Sequence, residues 1–344
     1  KQVEEQLYHA ATDAEKDELR TKRTRICAEE DSEEMKVRKS MGAQLAPMAD
    51  ALLADADTVG RLDFIIQKAR FAVRYGLTPE PETEKAMTAL SPRVLTLAQE
   101  RVYSELCKLL PLVTGEDLIR FGPVLAEILP ELKPQLGYDQ RNHHHIHDLF
   151  THTALVTAAM PKDLPLRWAA LLHDTGKPAT RTEDEMGEAH YHGHAQVSAD
   201  MAQEVLLRLK APTALREQVV DLIDRHMIWF EVSKKVIRRW ISRLDFEMFW
   251  DLITLQRSDS MATGTATEAE KAHFDEIEAL IREIEAEKSC LTLKELALNG
   301  HDLMALGYRG KAIGETLNSL LSRVLEEELP NEKAALIAAL EETP

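Results

Sequence analysis

The sequence predicts an all-α protein: a histidine-rich helical domain flanked by an N-terminal helical arm and neck and a C-terminal helical tail. Two observations carry this. Aromatic residues make up 5% of the 344 residues, while Ala, Leu and Glu, all good helix formers, are abundant. No stretch sustains the alternation of β-branched and polar residues that a sizeable sheet requires.

Residues 1–45 crowd charges (Glu4, Glu5, Lys16, Glu18, Arg20, Lys22, Arg23, Glu29, Glu30, Lys36) around few apolar positions, which predicts long exposed helices or a hairpin. From Leu45 to Tyr75 the pattern becomes amphipathic, through Leu52, Leu62, Ile65, Ile66, Phe71 and Val73. Gly76 with Pro79 and Pro81 stops that run, and Glu80, Glu82 and Glu84 place acids in the first turn of the next helix. Helical runs over 85–133 are broken at Ser91-Pro92, Pro111, Gly115 and Pro130, and residues 140–275 hold most histidines in six or seven helices. After 290, a turn at Gly307–Gly314 separates helices that run to the end. The expected division is a charged arm at 1–66, a neck- or body-like helical region at 67–135, a metal-binding domain at 136–275 and a helical tail at 276–344.

A formal net charge of −17 excludes non-specific adhesion of the whole molecule to nucleic acid, so any RNA-facing surface must be a local basic patch. Three widely spaced cysteines (Cys27, Cys107, Cys290) form no metal spacing and no disulfide framework, which predicts a reducing, cytoplasmic setting. No run approaches the ~18 apolar residues of a membrane span. The chain starts at Lys1 rather than Met, as expected of a processed or partial chain.

The chemistry concentrates at Leu171-Leu172-His173-Asp174-Thr175-Gly176-Lys177-Pro178. An Asp after the small, apolar run Trp168–Leu172 is costly to bury alone, so a cation is its natural companion. Consecutive helical side chains diverge by about 100°, which still lets His173 and Asp174 straddle one ion. His145, Asp148 and His152 share a helical face at spacings of three and four. His190, His192 and His194 crowd a glycine-containing segment, and His226 and Asp259 each follow an apolar-periodic helix. Histidine and carboxylate ligands without cysteine suit one or two divalent ions such as Mn, Fe, Mg, Ni or Co. Lys177, just past the Gly176 stop, is placed to meet a phosphate oxygen. Lone histidines (His9, His273, His301) are read as surface or core groups. Lys234, Lys235, Arg238 and Arg239 fall on one stripe of a helix, able either to meet an RNA backbone or to form a solvated face.

These residues resemble the HD superfamily of metal-dependent phosphohydrolases, and within it the HD domain of the bacterial CCA-adding enzyme and poly(A) polymerase family. The matching segments are Gln140–His145, His152-Thr153, Leu166–Pro178, Gly193-His194 with Ser198–Ala202, Lys234–Arg239, Asn299–Met304 and Gly310–Gly314, so the resemblance spans about residues 64–344. It implies His152, His173, Asp174 and Asp259 as metal ligands, His194 and His226 at a second metal or the substrate, and Lys177 as a phosphate contact. The family's Gly-Gly-x-Val-Arg-Asp loop does not occur. Beside Arg70-Phe71-Ala72, the positions that select nucleotides in the family read Gly60, Arg61, Phe64 and Gln67. Residues 30–70 resemble core helices of endonuclease-type MutS relatives.

The expectation is therefore a metal-dependent HD phosphohydrolase acting on phosphomonoesters or on 2′,3′-cyclic or linear phosphodiesters of nucleotides or RNA ends. Asp174, Lys177 and His194 would be its catalytic groups, and nucleotidyl transfer by this chain alone is not expected. The alternative is a tRNA-binding portion of the CCA-adding family without hydrolysis. Partners under either reading are a nucleotide or RNA phosphate, tRNA and a second copy in a homodimer, with no membrane.

Overall fold

A computed structural model describes residues 13–45, 81, 84–85, 89, 98–142, 146–287 and 290–341. The chain divides into two units, Lys1–Ile65 and Ile66–Pro344. Gly60, Arg61, Phe64, Gln67, Arg70–Ala72 and His145 lie outside the described residues, as does the 46–70 part of the MutS-like stretch.

The described part of the first unit is one helix, α1 (Asp13–Leu45). Its exposed ion pairs run along its own surface, Arg25 to Glu29 at 3.2 Å and Lys36 to Glu33 at 2.6 Å. Met35 and Val37 on it are exposed, and Leu19 and Ile26 are half-buried.

In the second unit, α2 (Gln99–Leu109) precedes α3 (Gly115–Ile128). Thr114 starts α3 with a capping box, its hydroxyl accepting from the Asp117 N–H while the Asp117 carboxylate takes the Thr114 N–H. Gly122 lets α3 approach the Phe150 ring, which an added Cβ would meet at 2.4 Å. A 3-10 turn (Pro130–Gln135) leads to α4 (Leu149–Ala159) and α5 (Leu164–Leu172). Helix α5 is buried from Leu166 to Leu172, which is why its sequence is nearly all apolar. A short α6 (Lys177–Thr180) is followed by β1 (Thr182–Glu183) and β2 (Ala189–His190), an antiparallel ladder with Thr182 opposite His190.

Helices α7 (His194–Arg208) and α8 (Thr213–Arg225) pack on each other, and α8 also packs on α5. Next come α9 (Lys234–Leu244) and α10 (Phe246–Ala262), joined at Asp245. Asp245 holds a left-handed φ of 73° while its carboxylate accepts from the Met248 N–H at 2.9 Å. Phe230 anchors this corner, with Trp240 and Phe249 edge-on to it at 5.2 Å each. Helix α11 (Glu268–Ala286) starts with the Thr267–Glu270 capping box. The tail comprises α12 (Gly300–Ala305), α13 (Lys311–Leu325) and α14 (Lys333–Glu341). The described residues are thus all-α apart from the two-residue ladder, and none of their helices is long and apolar enough to cross a membrane.

Candidate metal centre

Five elements deliver six side chains to one buried point: His152 from α4, His173 and Asp174 from the end of α5, His194 from the first position of α7, His226 from the end of α8 and Asp259 from α10. His152, His173 and Asp174 are at most 1% exposed, His226 and His194 at most 5%, and only the Asp259 side chain, at 21%, reaches solvent appreciably. His152 Nε2 lies 2.8 Å from Asp259 Oδ1 and 3.6 Å from Asp174 Oδ2. His173 Nε2 lies 3.1 Å from Asp174 Oδ2 and 3.4 Å from Asp259 Oδ1. On the other side of Asp174, His194 Nε2 is 3.3 Å from Oδ1 and 3.3 Å from His226 Nε2.

The opposite ring nitrogens explain why the four Nε2 atoms face inward. Nδ1 of His173, His194 and His226 contacts the carbonyl oxygens of Ala170, Tyr191 and Ile223 at 2.8, 2.7 and 2.6 Å. His152 Nδ1 faces the Ala262 carbonyl at 3.4 Å. A carbonyl only accepts, so each Nδ1 carries the proton, and in the neutral ring each Nε2 keeps its lone pair for the centre.

The electrostatics show how much positive charge the carboxylates demand. Burial resists ionisation of Asp174, but His173 and Lys177 prevail and hold its carboxyl well below the usual range. Burial likewise opposes Asp259, yet His152 and His173 keep its pKa low. Burial disfavours the His173 cation, and Asp174 and Asp259 overcome it, pushing its pKa up to about 10. His226 goes the other way, down to about 4, through burial and then repulsion from His173.

The donors fit a divalent ion on geometry as well as charge. Ligating atoms of His152, His173, Asp174 and Asp259 all lie within 4.8 Å of one another, as do those of Asp174, His194 and His226. His173 Nε2 and both Asp174 oxygens are buried against one another and against the Lys177 ammonium, His194 and Asp259. Nitrogen and oxygen donors without sulfur match the hard or borderline ions expected from the sequence.

Other expected site residues are placed differently. Lys177 faces the centre: it is 6% exposed, its Nζ lies 2.7 Å from Asp174 Oδ2, and it donates to Gln140 Oε1 at 3.3 Å. Asp148 is the N-cap of α4, accepting from the Phe150 and Thr151 N–H groups, so the i, i+4 spacing to His152 served a helix start and not a second ligand. Of the 190–194 histidines only His194 joins the centre. His190 faces Asp184 at 3.3 Å, and its ring stacks with His192 at 5.8 Å.

The basic stripe of α9 meets acids of its own chain. Lys234 pairs with Glu283 and Glu287 at 2.8 and 2.6 Å, and Lys235 with Glu326 at 2.9 Å. Arg238 pairs with Glu287 at 3.1 Å and with Glu327, and Arg239 lies 3.8 Å from Glu326.

Two positioning residues were not singled out from sequence. Gln256, on α10 one turn before Asp259, donates from Nε2 to the carbonyls of His226 (2.9 Å) and Ile228 (2.7 Å), tying the end of α8 to α10. Ser198 Oγ accepts the Gly176 N–H at 2.9 Å, and a Cβ on Gly176 would lie 2.7 Å from the His194 carbonyl oxygen. Only glycine permits that approach, which sets His194 against Asp174. A glutamine inside an amphipathic helix gives no sign of such a role.

Comparison with known proteins decides the family. The chain is 33% identical over 295 residues to the A-adding tRNA nucleotidyltransferase of Deinococcus radiodurans, covering 80% of this chain and 68% of that protein. The chain belongs to the tRNA nucleotidyltransferase family. It is also 35% identical over 240 residues to the CC-adding tRNA nucleotidyltransferase of Thermus thermophilus, 67% of this chain and 53% of that protein. Against the multifunctional CCA protein of an Azoarcus strain it is 37% identical over 174 residues, 48% of this chain and 42% of that protein. The chain therefore spans between about two fifths and two thirds of the length of these relatives. A family profile described as "tRNA nucleotidyltransferase domain 2" matches residues 192–340, and one described as "Probable RNA and SrmB- binding site of polymerase A" matches residues 76–136.

These matches correct the enzyme class expected from the sequence. The relatives are named for nucleotide addition to tRNA and not for ester hydrolysis, so the expectation of an HD-type phosphohydrolase, with nucleotidyl transfer set aside, is overturned. The His-Asp motif that suggested it does not by itself fix the reaction. The MutS-like resemblance of residues 30–70 is not part of what these matches show.

Proposed function

We propose that this chain is a tRNA-binding part of a tRNA nucleotidyltransferase-family protein, and that its His-Asp centre holds a divalent ion that braces the helices without hydrolysing RNA. The observation that carries the reading is the 295-residue similarity to an A-adding enzyme, supported by the RNA-binding profile at 76–136. In the centre His152, His173, Asp174 and Asp259 hold the first ion, with Asp174, His194 and His226 as a second donor set. A bound ion would supply a fixed positive charge joining α4, α5 and α10, while Lys177 holds Asp174 through Oδ2, the oxygen that also faces His152 and His173.

A chain with net charge −17 must offer tRNA local cations. Lys235 and Arg239 are suited to this: their side chains are 44% and 40% exposed, and their pairs with Glu326 are of the surface kind, worth ~0–1 kcal/mol and readily exchanged for phosphate. Arg238, at 11%, and Lys234, at 25%, are more deeply engaged and brace α9 against α11 and the end of α13.

The test is a titration of fluorescent tRNA with the full chain at 50–200 mM salt, in parallel with 3′-labelled tRNA incubated with the chain and Mn2+. Steeply salt-dependent binding with the tRNA recovered intact is expected. No preference for tRNA over a blunt RNA duplex overturns the tRNA reading, and metal-dependent loss of the label overturns the bracing role.

A further inference from the structure

Just beyond His226, the chain displays apolar side chains that the core does not use. His226 and Phe230 point inward, 3% and 2% exposed, whereas Met227 and Trp229 between them are 59% and 65% exposed. This exposure comes from a held segment. Gln256 clamps the carbonyls of His226 and Ile228, and Phe230 is locked between Trp240 and Phe249. The indole itself is oriented: Trp229 stacks on His273 of α11 with centroids 3.9 Å apart and planes 12° from parallel, and Phe274 meets it edge-on at 6.2 Å. Burial lowers the pKa of His273, favouring the neutral ring beneath the indole. A large aromatic plane is thus backed by one ring, fixed at both ends of its loop and still mostly open to solvent. Such preorganisation removes the ordering cost that weakens binding to a mobile surface side chain.

We infer that the Trp229–His273 stack is a platform for an unpaired nucleobase of bound RNA. This inference rests on the proposed tRNA-binding function and deepens it. Nucleobases present flat faces that stack on aromatic planes whatever their sequence, and duplex RNA keeps those faces covered. A base face, unlike a phosphate, needs no cation beside the indole. Arg257, the cation on this part of α10, is already paired with Asp275 and Glu278 of α11 at 2.6 and 3.0 Å, and Glu276 lies nearby in sequence. The Trp229 contribution is therefore expected to depend little on salt, in contrast to phosphate contacts.

The experiment compares the full chain with its Trp229→Ala and Trp229→Phe variants, using a tRNA transcript, a single-stranded oligoadenylate and a blunt RNA duplex as probes. Trp229→Ala is expected to weaken tRNA and oligoadenylate roughly five- to one-hundred-fold, leave the duplex within about two-fold, and leave the salt slope unchanged. Trp229→Phe should retain most of the affinity but lose the quenching of tryptophan emission that accompanies binding. Unchanged tRNA affinity in Trp229→Ala overturns the platform while leaving the tRNA-binding function standing. An equal loss on the duplex overturns it too, as does a change of sedimentation that shows the indole to be a protein contact. Failure of the unsubstituted chain to bind tRNA overturns the function and the platform together.

Discussion

The His-Asp centre and the basic stripe of α9 both arise from ionisable residues at helical spacing, and they end in opposite states. At the centre, four histidines and two carboxylates converge in the interior, with the Lys177 ammonium 2.7 Å from Asp174 Oδ2. On α9, Lys234, Lys235, Arg238 and Arg239 each have an acid within reach, from α11 or the segment at the end of α13. The difference teaches what distinguishes a ligand site from a helix contact in this molecule. Convergent buried nitrogen and oxygen donors make a place fit for a cation, whereas the charges on α9 are each matched singly at the surface. RNA can reach only those cations whose pairing is shallow.

Asp174→Ala attacks the centre at its hub and carries the largest expected effect. It leaves the buried Lys177 ammonium without its carboxylate and unlinks the two donor sets, at a cost of about 3–5 kcal/mol, read as a lower denaturant midpoint in metal-free buffer. Gly176→Ala tests whether the turn positions His194. Its Cβ would meet backbone, the His194 oxygen at 2.7 Å and the Ser198 nitrogen at 2.8 Å, so a loss of roughly 1–3 kcal/mol is expected in the same titration. A stability within about 0.5 kcal/mol of the original would show that α7 shifts freely.

On the α9 side, joint Lys235→Gln and Arg239→Gln substitution should change stability by less than about 1 kcal/mol while lowering the slope of log affinity for tRNA against log salt by roughly one to two. An unchanged slope would reduce the whole stripe to a helix contact. The smallest effect contrasts two carboxylates of α10. Asp259 is held low by its histidines, but burial, with Asp163 next, pushes Asp251 up to about 6. The folded state then binds this proton more tightly than the unfolded chain does, so the carboxylate costs stability once ionised above that pH. Asp251→Asn should raise the melting temperature at pH 7–8, with the gain shrinking as pH falls through 6 and vanishing below about 4. A gain of equal size at pH 4 would rule out ionisation as its cause.

Much of the helical outline was legible because its stops are chemical. Pro111 after α2, Gly115 and Pro130 at the two ends of α3, and Gly310 before α13 are local signals that need no tertiary information. The six residues at the centre were also legible, His173 and His226 as histidines after apolar runs and His194 after Gly193, and the structure brings them together. What could not be read is what each charge faces. Asp148 and a true ligand share the same spacing to His152, and only the N–H groups of Phe150 and Thr151 show that it is a cap. The direction of Lys177 depends on Gln140, which lies 37 positions earlier in sequence. The acids opposite α9 lie 49 to 91 positions away from their partners, beyond any helical period. The stack of Trp229 on His273 likewise pairs two residues that look unremarkable alone.

The most direct test of the centre is the metal content of the full chain, purified without chelator and measured by inductively coupled plasma mass spectrometry, with melting curves before and after chelation. The predicted result is one or two divalent ions per chain, a melting temperature that falls on chelation and recovers with Mn2+ or Co2+, and loss of both signals in His173→Ala but not in the Lys235→Gln, Arg239→Gln pair. A metal-free chain whose melting is indifferent to added ions, or one whose ions survive His173→Ala, would contradict the account.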